Sequence, residues 1–345
     1  MNYGVSYKGS KSRIADRLTG AVPYVGVEHF YDLFCGGCAV AHRMLLEKRY
    51  GHIHCNDLNG MALLLFVNGI KGEYKNETRW ISREDFIKLR DTDPYVSCCW
   101  SFGNNQRDYL YSRKIEPYKK ACHYAIVLDD FSLLRELCPE VADVCAEALE
   151  GVVNTHERRI KFGSTVVNWL KAHGTPEMVE NNPLYSSCHV RKDTKTRVKG
   201  MIRDLQSLER LESLERIERV NNIREADTNG LTWSIGSYDE VKIMPKSVIY
   251  ADIPYRSTNA YGLKSKNSFD YDRFYAWCES QTELVLVSEY WMPEDRFVSI
   301  WETEHIQSIC SSKTSAVTER LFVPKHQLGL YRSMMDAHKE KTLFD

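Results

Sequence analysis

His29-Phe30-Tyr31-Asp32-Leu33-Phe34-Cys35-Gly36-Gly37-Cys38 joins a short apolar run ending in a carboxylate to a turn with two adjacent glycines. A helical pattern follows from Val40 to Lys48. The next run, His52-Ile53-His54-Cys55-Asn56-Asp57, again ends in an acid, with a helical pattern from Gly60 to Gly69 behind it. Strand, glycine turn, helix, strand, helix is how an open α/β sheet begins, and such sheets bind ligands beyond the carboxyl ends of their strands. Val248-Ile249-Tyr250-Ala251-Asp252 and Leu284-Val285-Leu286-Val287-Ser288-Glu289 repeat the form: apolar throughout, as buried parallel strands require, and polar at the end. The expected fold class is therefore α/β.

Between these pairs of strands the character changes. Strand-like runs are sparse from Gly72 to Asn229, and Glu140 to His156 reads as one amphipathic helix with Val141, Val144, Cys145, Ala148, Leu149 and Val152 on one side. The expected organisation is a domain made of 1–71 and 230–345, interrupted by a mainly helical insertion, 72–229. Inside it Leu205, Leu208, Leu211, Leu214, Ile217 and Val220 recur every three residues. That spacing drifts around a helix axis instead of holding one face. A solenoid-like turn, an irregular helix and a slippage tract on a tolerant surface all fit it.

Composition narrows the function classes. The 345 residues are 43% apolar and 27% charged, enough for a sizeable core, and no apolar run is long enough to span a bilayer. Basic residues near the N-terminus are not followed by an apolar segment of the signal-peptide kind, so the reading is a cytoplasmic protein. Eleven cysteines, an odd number in a long chain, read as reduced thiols. Cys35 and Cys38 have C-x-x-C spacing without a second pair; structural zinc takes about four ligands, so no metal is expected. Net charge is −1, which gives bulk electrostatics no role in binding nucleic acid. Local charge differs: Arg191, Lys192, Lys195, Arg197, Lys199 and Arg203 cluster, and Arg107, Arg113, Lys114, Lys119 and Lys120 interleave with Tyr109, Tyr111 and Tyr118. Such mixtures contact phosphates and bases, or else form a solvated helix face.

Asp57 stands about 20 residues past the glycine turn, the offset at which an acid accepts hydrogen bonds from ribose hydroxyls. Alone, the turn is equally a plain nucleotide-binding or structural α/β turn. The tetrapeptide Asp252-Ile253-Pro254-Tyr255 extends the pattern. In order, the chain has Tyr7-Lys8-Gly9-Ser10-Lys11, the Asp32 to Cys38 turn, Asn56-Asp57, the insertion, and then Asp252 to Tyr255. This order resembles the Dam-type (class alpha) DNA adenine-N6 methyltransferases, and Trp100-Ser101-Phe102-Gly103-Asn104-Asn105 looks like their phage or prophage branch.

The resemblance implies a Rossmann-like sheet that binds S-adenosylmethionine, with the insertion as target-recognition domain, acting on double-stranded DNA. It places Asp252, Ile253, Pro254 and Tyr255 at the catalytic centre. Asp252 would accept an N6–H bond, the Ile253 carbonyl would help, and Tyr255 would stack on a flipped adenine. Tyr7, Lys11, Asp32, Phe34, Gly36, Asp57, Tyr238 and Asp252 would border the cofactor, while Arg107, Arg113, Lys192 and Arg197 are DNA-contact candidates. Two departures stand out. Ile253 replaces the family's proline, which a carbonyl acceptor tolerates. Cys38 replaces the second glycine of the cofactor turn, and a Cβ there is adverse if the position needs φ > 0. Gly236-Ser237-Tyr238 also lacks a carboxylate that the family commonly carries. Two alternatives remain: methylation of another amino nitrogen such as cytosine N4, and a DNA-binding protein of this fold with weakened catalysis. Nothing in the chain identifies a cognate restriction enzyme.

Overall fold

Four of the strands foreseen from apolar runs lie in one seven-stranded sheet, of order β3-β2-β1-β4-β5-β7-β6. The computed structural model describes residues 3–7, 9–175, 212–255, 269–310 and 313–344. Strands β1 (His29–Asp32), β2 (His52–Asp57), β3 (Leu231–Ile235), β4 (Ser247–Asp252) and β5 (Leu284–Glu289) pair in parallel. Strands β6 (Phe297–Cys310) and β7 (Lys313–Pro324) form an antiparallel hairpin, and β7 joins the sheet antiparallel to β5. Every residue of β5 is buried, as is every residue of β4 before Asp252. One face packs Ile249, Ala251, Val285 and Val287 with Phe274, Tyr275 and Cys278 of a helix at Tyr271–Ser280.

Because β2 and β3 continue outward from β1 on one side and β4 and β5 on the other, the order reverses between β1 and β4. Their carboxyl ends adjoin: Asp32 pairs with Tyr250, two residues before Asp252. A reversal of this kind leaves a crevice between neighbouring strand ends, where open α/β sheets bind ligands. The chain after β1 enters a helix at Ala39–Glu47, and the chain after β2 enters one at Gly60–Ile70, where Asn59 caps by accepting from the amide of Ala62.

The chain divides into two compact units, 1–75 with 223–345, and 76–222. The second unit is helical. Its helices include Pro94–Cys99, Glu116–Val127, Pro139–Leu149, Thr155–His173 and Glu212–Asn221. The single helix expected over 140–156 is broken. Gly151 at φ 72° ends the first piece, and Asn154 caps the second by accepting from the amide of Glu157. Val144, placed on the apolar side by its spacing, is 39% exposed. The described part of the period-three tract is helix, burying Leu214, Ile217 and Val220; residues 205–211 lie outside the described residues. No helix among the described residues is long and apolar enough to cross a membrane.

A ladder of imidazoles crosses β1 and β2. His29 Nδ1 lies 3.0 Å from His54 Nε2, and the ring of His29 stacks on that of His52 at 4.8 Å. Burial first, then the neighbouring imidazoles, lowers the pKa of His29 and takes that of His54 down to about 4. Between there and the ordinary value near 6.5, the unfolded chain binds protons that these folded rings do not. Stability therefore falls as pH drops through that window, by at most about 1.4 kcal/mol per pH unit for each ring. Urea unfolding midpoints measured between about pH 7.5 and about pH 5 should fall accordingly, and His54→Gln should flatten the dependence.

Candidate active site

The first segment of the chain is tied down over the glycine turn. Val5 donates its amide to Gly37 O at 2.9 Å, Gly4 to His42 Nδ1 at 3.0 Å, and Tyr3 to Ser12 Oγ at 2.8 Å. Tyr7 lies against the turn so closely that a Cβ on Gly36 would stand 2.7 Å from its ring. Gly36 also has φ 48°, so both backbone and space call for glycine. A short 3-10 turn, Lys11–Arg13, then carries Lys11 to the end of β4.

There Lys11 Nζ lies 2.6 Å from Asp252 Oδ1 and 2.7 Å from Oδ2, bridging 241 residues of sequence. It also sits 4.7 Å from the centroid of the Tyr255 ring and 3.9 Å from Glu319 Oε1. Burial alone would lower the lysine's pKa, but Asp252 and Glu319 outweigh it and raise it. Burial likewise raises the Asp252 carboxyl; Lys11 opposes, Glu319 reinforces, and the result is about 6. A fifth of the Asp252 side-chain surface still faces solvent, leaving a route for a ligand. The Tyr255 hydroxyl donates to Glu319, and its ring meets Tyr290 edge-on at 4.4 Å. Ile253 is buried and Pro254 O accepts from the Tyr271 hydroxyl at 2.7 Å.

The remaining expected residues of this unit lie at or just beyond the carboxyl ends of β1, β2 and β3. Asp32 is 1% exposed; Oδ2 accepts from the amide of Ala41 at 3.3 Å, while Oδ1 has no hydrogen-bond partner among the described residues. Its pKa is well above the carboxylate range, because of burial first. Asp57 already accepts from the amides of Gly36 at 2.7 Å and Asn59 at 2.6 Å. Phe34 and Tyr238 stack at 5.4 Å within an aromatic group that includes Phe269, Phe274 and Trp277, so Tyr238 is largely closed in. A surface hollow bounded by Asp239, Trp277 and Glu283 contains none of the expected site residues. Among the described residues no group of three or more His, Cys, Asp or Glu is placed to hold a metal ion.

Cys38 does take a left-handed backbone, φ 56° and ψ 34°. Its side chain is fully buried, and its thiol meets those of Cys35 and Cys55. The Cβ is thus directed into a sulfur cluster in the core. Burial pushes the Cys35 and Cys38 thiols well above their ordinary range, which keeps both neutral.

In unit 76–222, Arg107 and Arg113 are exposed. The interleaved tyrosines behave otherwise. Tyr109 and Tyr111 are 8% and 6% exposed, packed with Trp80 and Phe86, so they build the core of that unit and present no stacking face. Aromatic rings next to cations carry no sign of direction, and here the rings turned inward. Lys192 and Arg197 lie outside the described residues.

Glu319 was missed. Its signal was present: Val317, Glu319, Leu321 and Val323 share one face of β7, where an acid among apolar residues implies a buried charge with partners.

Residues 7–142 match the family model of the D12 class N6 adenine-specific DNA methyltransferases. That is the family the motif order resembles. The matched span holds Tyr7, Lys11, Asp32, Phe34, Gly36 and Asp57, with Arg107 and Arg113, and ends before Tyr238 and Asp252 to Tyr255. No curated protein matches the chain. The match thus covers the glycine turn, the first two strands and part of the helical unit, and the tetrapeptide lies outside it.

Two outcomes test this geometry. Lys11→Met strands a buried carboxylate pair; breaking such a pair costs roughly 3–5 kcal/mol, reduced here to about 2 because Asp252 can protonate. Thermal melts at neutral pH should show that loss, and it should shrink in acid. Cys38→Gly relieves roughly 1 kcal/mol of left-handed strain and forfeits a similar amount of thiol burial. Cys38→Ala keeps the strain and loses the thiol, so it should be the less stable of the two in urea titrations.

Proposed function

We propose that the protein transfers a methyl group from S-adenosylmethionine to N6 of an adenine flipped out of duplex DNA. The observation that carries the reading is the carboxylate of Asp252 at the strand-order reversal, ion-paired to Lys11 and beside the Tyr255 ring. Adenine N6 is a poor nucleophile because its lone pair is delocalised into the ring. Asp252 accepts one N6–H bond and the Ile253 carbonyl the other, which favours a pyramidal nitrogen with its lone pair directed outward. Tyr255 stacks on the base and holds that orientation, so positioning supplies much of the acceleration. On receiving the methyl group N6 would become cationic, and Asp252 would accept its proton and pass it to solvent.

S-adenosylmethionine, when bound, supplies a methyl group already activated on a sulfonium. The residues present fit it. The buried Asp32 oxygen without a partner suits an ammonium group, and Gly36 keeps the turn free of a Cβ. Asp57, fixed by two backbone amides, retains lone pairs for ribose hydroxyls. Tyr7, Lys11, Phe34, Tyr238 and Asp252 form the surroundings. Unit 76–222 serves as the target-recognition domain, with Arg107, Arg113, Lys192 and Arg197 contacting phosphates or bases. A cytoplasmic location goes with a DNA substrate. Ser237, where the family commonly carries a carboxylate, favours a second reading, a DNA-binding protein with weakened catalysis; calorimetry showing no binding of S-adenosylmethionine at millimolar concentration would support it.

Asp252→Ala should lower methyl transfer from labelled cofactor to unmethylated plasmid DNA by about 10³-fold or more, with the circular dichroism spectrum unchanged. Undiminished transfer in that variant would sink the assignment. In the wild type the carboxylate has to be ionised, so the rate should rise with pH through about 6 and level off above it. Mass spectrometry of the product nucleosides separates N6-methyladenine from N4-methylcytosine.

A further inference from the structure

Lys11 occupies both oxygens of Asp252, at 2.6 and 2.7 Å, and sits over the face of Tyr255. An arriving adenine needs one of those oxygens and that face. The lysine therefore has to give way. It is 7% exposed, so it has no easy exit to water, and a buried ammonium that leaves one carboxylate needs another. Glu319 provides it. This carboxylate is 1% exposed on β7, accepts from Ser288 Oγ at 2.7 Å and from the Tyr255 hydroxyl, and lies 3.9 Å from Lys11 Nζ. A movement of about 1 Å brings the ammonium within hydrogen-bond distance of it.

We propose that Glu319 is a positioning residue that takes Lys11 from Asp252 when the target amino group arrives, while holding Tyr255 by its phenol. The assignment rests on the adenine-methylation reading above. It accounts for two features together: a second buried acid beside a single ammonium, and two hydroxyl donors aimed at that acid. Ser288 and Tyr255 stabilise Glu319 while Lys11 is on Asp252, so the exchange starts from a solvated-like carboxylate and not from a bare charge.

Asp252 is faced by Lys11, Glu319 and Tyr255, with Tyr250, Tyr290 and Asp32 also in the cluster. Glu319 raises the Asp252 pKa, so Glu319→Gln should lower it, seen directly by carbon-13 NMR titration of the ligand-free protein. The acidic limb of the rate profile should move down with it, and kcat should fall at least about tenfold while KM for plasmid DNA and for cofactor stays within about twofold. Glu319→Asp keeps the charge and should keep the limb in place. Ser288→Ala removes a donor from Glu319, along with a contact to the Tyr250 phenol; the acid then draws Lys11 away from Asp252, and the limb should move up. This smaller substitution carries the test should Glu319→Gln fail to fold. An unmoved titration and unchanged kcat in Glu319→Gln, or an unmoved limb in Ser288→Ala, overturns the proposal. An inactive wild type, or full activity in Asp252→Ala, strikes the methylation reading instead.

Discussion

One ammonium group near the N-terminus, Lys11 Nζ, is shared between two carboxylates from the C-terminal part of the chain, the half-buried Asp252 and the buried Glu319. Removing three charges from water is costly, and Coulomb attraction repays it only when geometry is good and remaining lone pairs are satisfied. The geometry here meets both conditions. Lys11 contacts both oxygens of Asp252, and hydroxyls of Tyr255 and Ser288 serve Glu319. An excess negative charge remains, and Glu319 adds to burial, the larger cause, in raising the pKa of Asp252. The cluster is therefore arranged to accept a further hydrogen-bond donor, at some expense in stability.

The rest of unit 1–75 with 223–345 follows from placing those three groups together. Lys11 reaches Asp252 because the N-terminal segment is bonded to the glycine turn at Val5–Gly37 and to the following helix at His42. Asp252 stands at the crevice because the strand order reverses between β1 and β4. Glu319 arrives because β7 runs antiparallel beside β5, pairing Leu321 with Ser288. Each contact fixes a separate stretch of chain, and none is local in sequence.

That non-locality explains what could be read from the residues in advance. Strands β4 and β5 are apolar on both faces, β1 and β2 set apolar residues among histidines, and all four end in polar groups, so their existence and their polar ends were legible. Asp252 and Lys11 were legible as motif residues, but their ion pair was not, since nothing in either segment specifies the other. Glu319 lay in a hairpin whose alternation resembles many surface strands, and only the acid on the inward face marked it. In the helical unit, periodicity over 140–156 concealed a break, because Gly151 and the Asn154 cap override the apolar spacing. Tyr109 and Tyr111 were misjudged for a related reason: composition shows which residues mix, whereas packing decides which turn inward.

Cys38 sharpens the point about the glycine turn. A glycine can be required for its backbone angle, for the space a missing Cβ leaves, or for both. At Gly36 both apply, since φ is positive and Tyr7 occupies the space. At Cys38 only the angle applies. The side chain is accommodated in the core against Cys35 and Cys55, so the cost of the substitution is roughly the 1–2 kcal/mol of a left-handed residue, not a blocked ligand site. A cost of that size is borne by folding. Departure from a family motif is then compatible with the family's chemistry whenever the new side chain finds its contacts on the side away from the ligand.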